Sequence, residues 1–164
     1  MELSGSLRAQ KAAAGGKGDG KELCDLLVVF ENHVLIFSDK DCRFNDAADL
    51  RVAWARWFKR AVQKSAEQAW GAERWIRQFP NRLFLDRKCT VPFPINLPDP
   101  ANAIFHRIVV AHDASRACGE KLGGSGSLMF DSSLIGDAHL TAMPFTIGRI
   151  DPAEGTFMCS TTPR

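Results

Sequence analysis

Asp25, Ser38 and Lys40 stand near the ends of two apolar runs, and their spacing bears on phosphodiester chemistry. Metal-dependent cleavage of a phosphodiester needs two or three hard oxygen ligands to hold Mg²⁺ beside the scissile phosphate. It also needs a lysine that positions water or stabilises developing charge. Two adjacent strands supply this when one acid opens the first, and an acid and a lysine two residues apart share a face of the second. Asp25 fits the first position and Lys40 the last. Two residues before Lys40 stands Ser38, a hydroxyl where the chemistry asks for a carboxylate. Asp39 is the nearest acid, but alternation points it to the opposite face unless a bulge shifts the register. Glu22 and Asp41 are local alternatives, and Glu67 can reach the same place from a following helix. The predicted catalytic set is therefore Asp25, Ser38 and Lys40, with Asp25 and Glu67 as ligands for Mg²⁺.

Other reactive residue types argue for less. The five cysteines, Cys24, Cys42, Cys89, Cys118 and Cys159, are scattered and never form C-x-x-C. They read as small apolar side chains in a reducing compartment. His106 and His112 fall on one strand face but six residues apart, too far to share an ion, and read as structural. His112-Asp113 with Ser115 has the composition of a triad, but three near-neighbours at a strand end cannot adopt its geometry unaided. Gly119, Gly123, Gly124 and Gly126 lack the lysine-serine pair of a phosphate loop, so Ala117–Ser127 reads as a mobile loop.

The elements that must position these residues follow from periodicity. Ser6–Ala14 reads as a short helix ending at Gly15-Gly16, and Gly18-Asp19-Gly20 as a flexible approach. Leu23–Phe30 is a β-branched apolar run that fits a buried strand; Glu31-Asn32-His33 supplies a turn and Val34–Lys40 a second strand. Together they make an antiparallel hairpin. After a cap at Asp46 or Asp49, residues 47–78 are helical, with Trp54, Phe58, Ala61, Val62, Ser65 and Ala69 forming one apolar stripe. Gly71 is the expected place for a bend. The opposite face carries Arg56, Lys59, Arg60 and Lys64, either a solvated surface or a patch for backbone phosphates. Pro80 ends the helix, and Arg82–Asp86 reads as a short strand. Four prolines make Val91–Pro100 an extended crossing. Ala103–His112, Leu128–Ile135 and Pro144–Ile150 are the remaining strands, and 158–164 reads as an irregular tail.

The arrangement G-K-E-L-C-D-L-L-V-V-F…V-L-I-F-S-D-K resembles the PD-(D/E)XK nuclease superfamily, and more closely a group of uncharacterised bacterial proteins that share this N-terminal block. The similarity runs through Lys64-Ser65-Ala66-Glu67-Gln68-Ala69-Trp70-Gly71-Ala72-Glu73-Arg74-Trp75-Ile76 and weakens after about Pro98. It implies an α/β fold: a restriction-endonuclease-like mixed β-sheet with flanking helices over residues 21–157, after a flexible or short helical segment at 1–20. The resemblance makes Gln68 a substrate contact, beside Lys64, Arg60 and Lys59 on the same helix. Because the similar proteins continue further, the C-terminus reads as a truncation or an altered reading frame.

Bulk composition narrows the alternatives. Hydrophobic content of 45% and charged content of 24% over 164 residues are those of one globular domain. No apolar run reaches membrane length, and the N-terminus lacks a signal-peptide core, so the expected compartment is the cytoplasm. A net charge of +2 is too small to imply a polyanion by itself; any such partner must be read from local clustering. Three readings follow: a Mg²⁺-dependent nuclease acting on DNA, a catalytically silent binding or scaffolding module, or a truncated product without activity. No membrane and no small-molecule cofactor is expected, and the oligomeric state is open.

Overall fold

The hairpin forms because two apolar runs flank a turn that tolerates left-handed backbone. β2 (Lys21–Phe30) and β3 (His33–Lys40) pair antiparallel from Phe30↔His33 to Leu26↔Phe37. Glu31-Asn32 makes a two-residue turn, with Glu31 at φ +52°. Alternation sets the buried face: Leu27 and Val29 on β2, and Val34, Ile36 and Ser38 on β3, are each at most 2% exposed.

In the computed structural model the described residues are 6–11, 21–46, 49–150 and 158–160. They form a mixed α/β fold. A six-stranded sheet has the order β4-β1-β2-β3-β5-β8, with β1 (Ser6–Lys11), β4 (Leu83–Phe84), β5 (Ile104–Ala111) and β8 (Met158–Ser160). β6 (Met129–Ile135) and β7 (Thr146–Arg149) make a separate parallel pair. A long helical segment runs through α1 (Leu50–Trp57), a π-helical stretch (Phe58–Gln63) and α2 (Lys64–Gln78); α3 spans Ala114–Leu122. No described helix is long and apolar enough to cross a membrane.

Four local expectations change. Ser6–Lys11 is a strand rather than a helix, because it completes the edge of β2 and pairs in turn with β4. Ala117–Ser127 is not one loop: α3 occupies Ala114–Leu122, and Gly126 (φ +76°) packs so closely that a Cβ would lie 2.2 Å from the Ser115 carbonyl oxygen. Met158–Ser160 pairs as an edge strand where no strand period is visible. The helix irregularity falls at Phe58–Gln63, and Gly71 lies inside regular α2. Asp49 is the cap, its Oδ1 accepting from the Arg51 and Val52 amides at 3.0 and 3.3 Å. The Gly18-Asp19-Gly20 approach lies outside the described residues.

The chain divides into two compact units. Unit 1 comprises Met1–Ser38 and Glu67–Ile108; unit 2 comprises Asp39–Ala66 and Val109–Arg164. Each has its own core. In unit 1, Leu27, Val34 and Ile36 pack with Ala69, Ala72 and Ile76 of α2, residues at helical spacing. Arg77 donates to the Pro100 carbonyl over 2.9 Å, tying the proline-rich crossing to α2. In unit 2, Trp54, Trp57, Phe58, Phe44 and Phe145 form an aromatic cluster. Trp54 stacks on Trp57 with centroids 5.2 Å apart, and Phe44 on Phe145 at 5.4 Å.

His139 completes that second core. It is 0% exposed and lies parallel to Phe58 at 4.4 Å. Its Nε2 accepts from the Gly148 amide at 2.8 Å, so the proton must sit on Nδ1, which donates to the Gly136 carbonyl at 2.6 Å. Gly148 has no room for a side chain: a Cβ would stand 2.3 Å from the Leu134 oxygen. Burial pushes the His139 imidazole below its ordinary value of 6.5, outweighing the Gly136 contact. The depressed group stabilises the fold fully above pH 6.5, and that contribution is lost as pH falls from there towards the folded-state pKa. Within that window the loss approaches about 1.4 kcal/mol per pH unit for one proton. Urea unfolding of wild type and His139→Gln from pH 7 to 5 should show a shallower pH dependence in the variant, by up to one proton. Parallel curves would assign the dependence elsewhere.

Candidate functional site

Of the residues singled out by spacing, four lie in unit 1. Asp25 sits in a β-bulge. Leu7 pairs with Leu27 but Ala9 with Cys24, so Asp25 and Leu26 together oppose one residue of β1. The irregularity is thus on the side of β2 that faces β1, while β2 and β3 pair without a shift from Leu26↔Phe37 to Phe30↔His33. Ser38 is 0% exposed, and its Oγ donates to Gln68 Oε1 over 3.2 Å. The structure therefore brings Ser38 and Gln68 together, each occupying a polar group of the other. Glu67, the neighbouring residue on α2, is exposed.

The remaining residues belong to unit 2. Lys40 ends β3, half-buried. The preceding Asp39 accepts from His112 Nε2 at 2.6 Å. The offset of 73 residues between Asp39 and His112 is also that between His33 and His106, as neighbouring parallel strands require. Asp39 and His112 thus mark the carboxyl ends of β3 and β5, the end where open α/β sheets place ligands. A cavity of about 330 Å³ lies there, lined by Asp41, Arg43, His112, Asp113 and Arg116. Its charges are heavily committed. Arg116 donates to Asp113, Asp46 and Glu120 at 3.0, 2.9 and 2.8 Å. Arg116 and the Phe44 amide hold the Asp113 carboxyl below the usual carboxylate range. Asp113 is therefore turned to Phe44 and Arg116, and the His112-Asp113-Ser115 triad does not form.

The cationic helix face is a distinct feature of unit 2. Arg56, Lys59, Arg60 and Lys64, all exposed, line a groove of about 340 Å³ with Asn45 and Ala53, and among the described residues no carboxylate lines it. Arg60 Nη2 donates to the Arg43 carbonyl at 3.3 Å, which fixes one guanidinium against the loop after β3. Lys59 and Arg60 lie in the π-helical stretch, an irregularity frequent at functional sites. Asn45 and Arg43, in the segment after β3, meet the helix only in the folded chain, and the Asp39–His112 pair forms only because β3 lies beside β5.

Among the described residues, no group of three or more His, Cys, Asp or Glu side chains is placed to hold a metal ion. At the position of the missing acid, Ser38 contributes a hydroxyl already committed to Gln68.

Ser38→Ala removes a buried donor and leaves Gln68 Oε1 short of a partner, at a cost of about 1–3 kcal/mol. Ser38→Asp, which restores the acid, should destabilise further by desolvating a carboxylate. Urea midpoints should fall in the order wild type, Ser38→Ala, Ser38→Asp; an aspartate variant as stable as wild type would show that the position admits a charge. In comparison with known proteins, the chain matches no protein-family model, no curated protein and no solved structure.

Proposed function

We propose that this chain is a nucleic-acid-binding module that holds the phosphate backbone of DNA along Arg56, Lys59, Arg60 and Lys64. The observation that carries this reading is the groove itself: four exposed cations converge on one concavity that no acid lines among the described residues. Guanidinium and ammonium groups arranged along a helix suit phosphate oxygens, and contacts of that kind position a duplex without reading its sequence. The small net charge of +2 does not oppose this, since the positive charge is local. The hairpin that resembles a nuclease core serves, in this reading, to build the first unit, with Ser38 spent on packing.

Neutralising about three phosphates gives a slope near −3 in log K against log salt. Electrophoretic shifts with a short duplex should show that slope. Lys59→Glu with Arg60→Glu should weaken binding by about tenfold or more at low salt and flatten the slope by about two. Lys88→Glu, outside the groove lining, should change little. Affinity indifferent to salt, or untouched by the double reversal, would remove the proposal.

Mg²⁺-dependent cleavage of the bound DNA is the second reading, favoured by the bulge that holds Asp25, since bulges recur next to active sites. It expects DNA cut in Mg²⁺ or Mn²⁺ by wild type and left whole by Asp25→Ala and by Lys40→Ala. DNA intact after prolonged incubation with wild type in both metals would leave the binding reading alone.

A further inference from the structure

His33 and His106 are the two histidines of unit 1, and neither has a role in the reading above. His33 opens β3 and His106 lies on the neighbouring β5. Their facing nitrogens, Nδ1 of His33 and Nε2 of His106, stand 2.8 Å apart. The rings are stacked at 5.1 Å with 24° between their planes. His33 is half-buried and His106 exposed, so the pair is open to solvent.

We propose that His33 and His106 form a binding site for a late first-row divalent ion, Cu²⁺ above all, with water completing its coordination. Two nitrogens each about 2.0 Å from one ion and at a right angle to each other are about 2.8 Å apart, and at a tetrahedral angle about 3.3 Å. The observed separation therefore matches cis ligands of a tetragonal centre. An ion replaces the shared proton, and each ring turns about its own side-chain torsions to aim its lone pair at the ion instead of at the other nitrogen. The backbone beside the pair is fixed: the Ile104 amide donates to the Asn32 carbonyl at 2.8 Å. Imidazole pairs suit Cu²⁺, Ni²⁺ and Zn²⁺, and the Irving–Williams order puts Cu²⁺ first. Mg²⁺ and Ca²⁺, which take oxygen ligands, find no carboxylate in the pair. With two protein donors among the described residues the site keeps open positions, which sets it apart from closed structural zinc sites.

The test uses the full chain without a histidine tag. Calorimetric titration with Cu²⁺ in a non-chelating buffer at about pH 7.5, where imidazole is mostly neutral in water, should give one ion per chain. Electron paramagnetic resonance should show two nitrogen ligands. His33→Gln and His106→Gln should each weaken binding about tenfold or more, while His112→Gln leaves it unchanged. Cu²⁺ should raise the unfolding midpoint of wild type and of His112→Gln, and not of the other two. Saturable binding retained in the His33→Gln, His106→Gln double variant would overturn the proposal. So would the absence of one-to-one binding in wild type, or dependence on His112. None of these outcomes bears on DNA binding, so the two proposals stand or fall separately.

Discussion

The indole N–H of Trp57 is the contact on which the arrangement of unit 2 depends. It lies 3.0 Å from the Cys42 carbonyl and 3.0 Å from the His112 carbonyl, and so reaches the segments that follow β3 and β5 at once. The side chain is 0% exposed, and its one N–H is shared by the two carbonyls. One donor thus serves two carbonyls. The consequence reaches the surface. The Asp39–His112 pair and the cavity lined by Asp41, Arg43 and Asp113 all sit within a few residues of those two carbonyls. Where the indole sits, that rim follows.

Trp57 also stands at the junction of α1 and the π-helical stretch, and this has a second effect. A π turn takes more residues per turn than an α turn, so it changes which residues face outward beyond it. Inward, the register still delivers Phe58, Ala61, Val62 and Ser65 to the interior, with Ser65 Oγ donating to the Ala61 carbonyl at 2.7 Å. Outward, it leaves Lys59, Arg60 and Lys64 on the groove side with Arg56. The aromatic residues that anchor the helix and the cations that line the groove are interleaved along one segment. Packing on one face thus fixes the spacing of charge on the other.

What the amino-acid sequence revealed divides along the range of the forces involved. The hairpin, the long helical segment and the irregular proline-rich crossing are written in local alternation, periodicity and ring constraints, and all are present. Ser6–Lys11, Ala114–Leu122 and Met158–Ser160 were misread for opposite reasons. The two strands exist because a sheet edge recruits them, a tertiary effect that leaves no local period. In α3, Gly119 and the glycines that follow it obscured a run of good helix formers, although glycine within a helix costs only about 1 kcal/mol. The candidate site shows the same limit. Arg56, Lys59, Arg60 and Lys64 were legible because one helix face carries them. Asp39–His112 and His33–His106 each require knowing that β3 lies beside β5.

The serine at position 38 follows from the same geometry. Val34, Ile36 and Ser38 share the buried face of β3, and nothing of Ser38 meets solvent. A carboxylate at such a place is tolerable only when a cation or several donors meet it. The partner of the Ser38 hydroxyl is Gln68, a neutral amide whose oxygen accepts it. Serine and glutamine satisfy one another with no net charge, which is the arrangement a closed interior favours. The hairpin therefore carries polar chemistry at the expected position but in a form suited to packing. Charge stands instead on the outer face of the helical segment, where Arg56, Lys59, Arg60 and Lys64 are exposed.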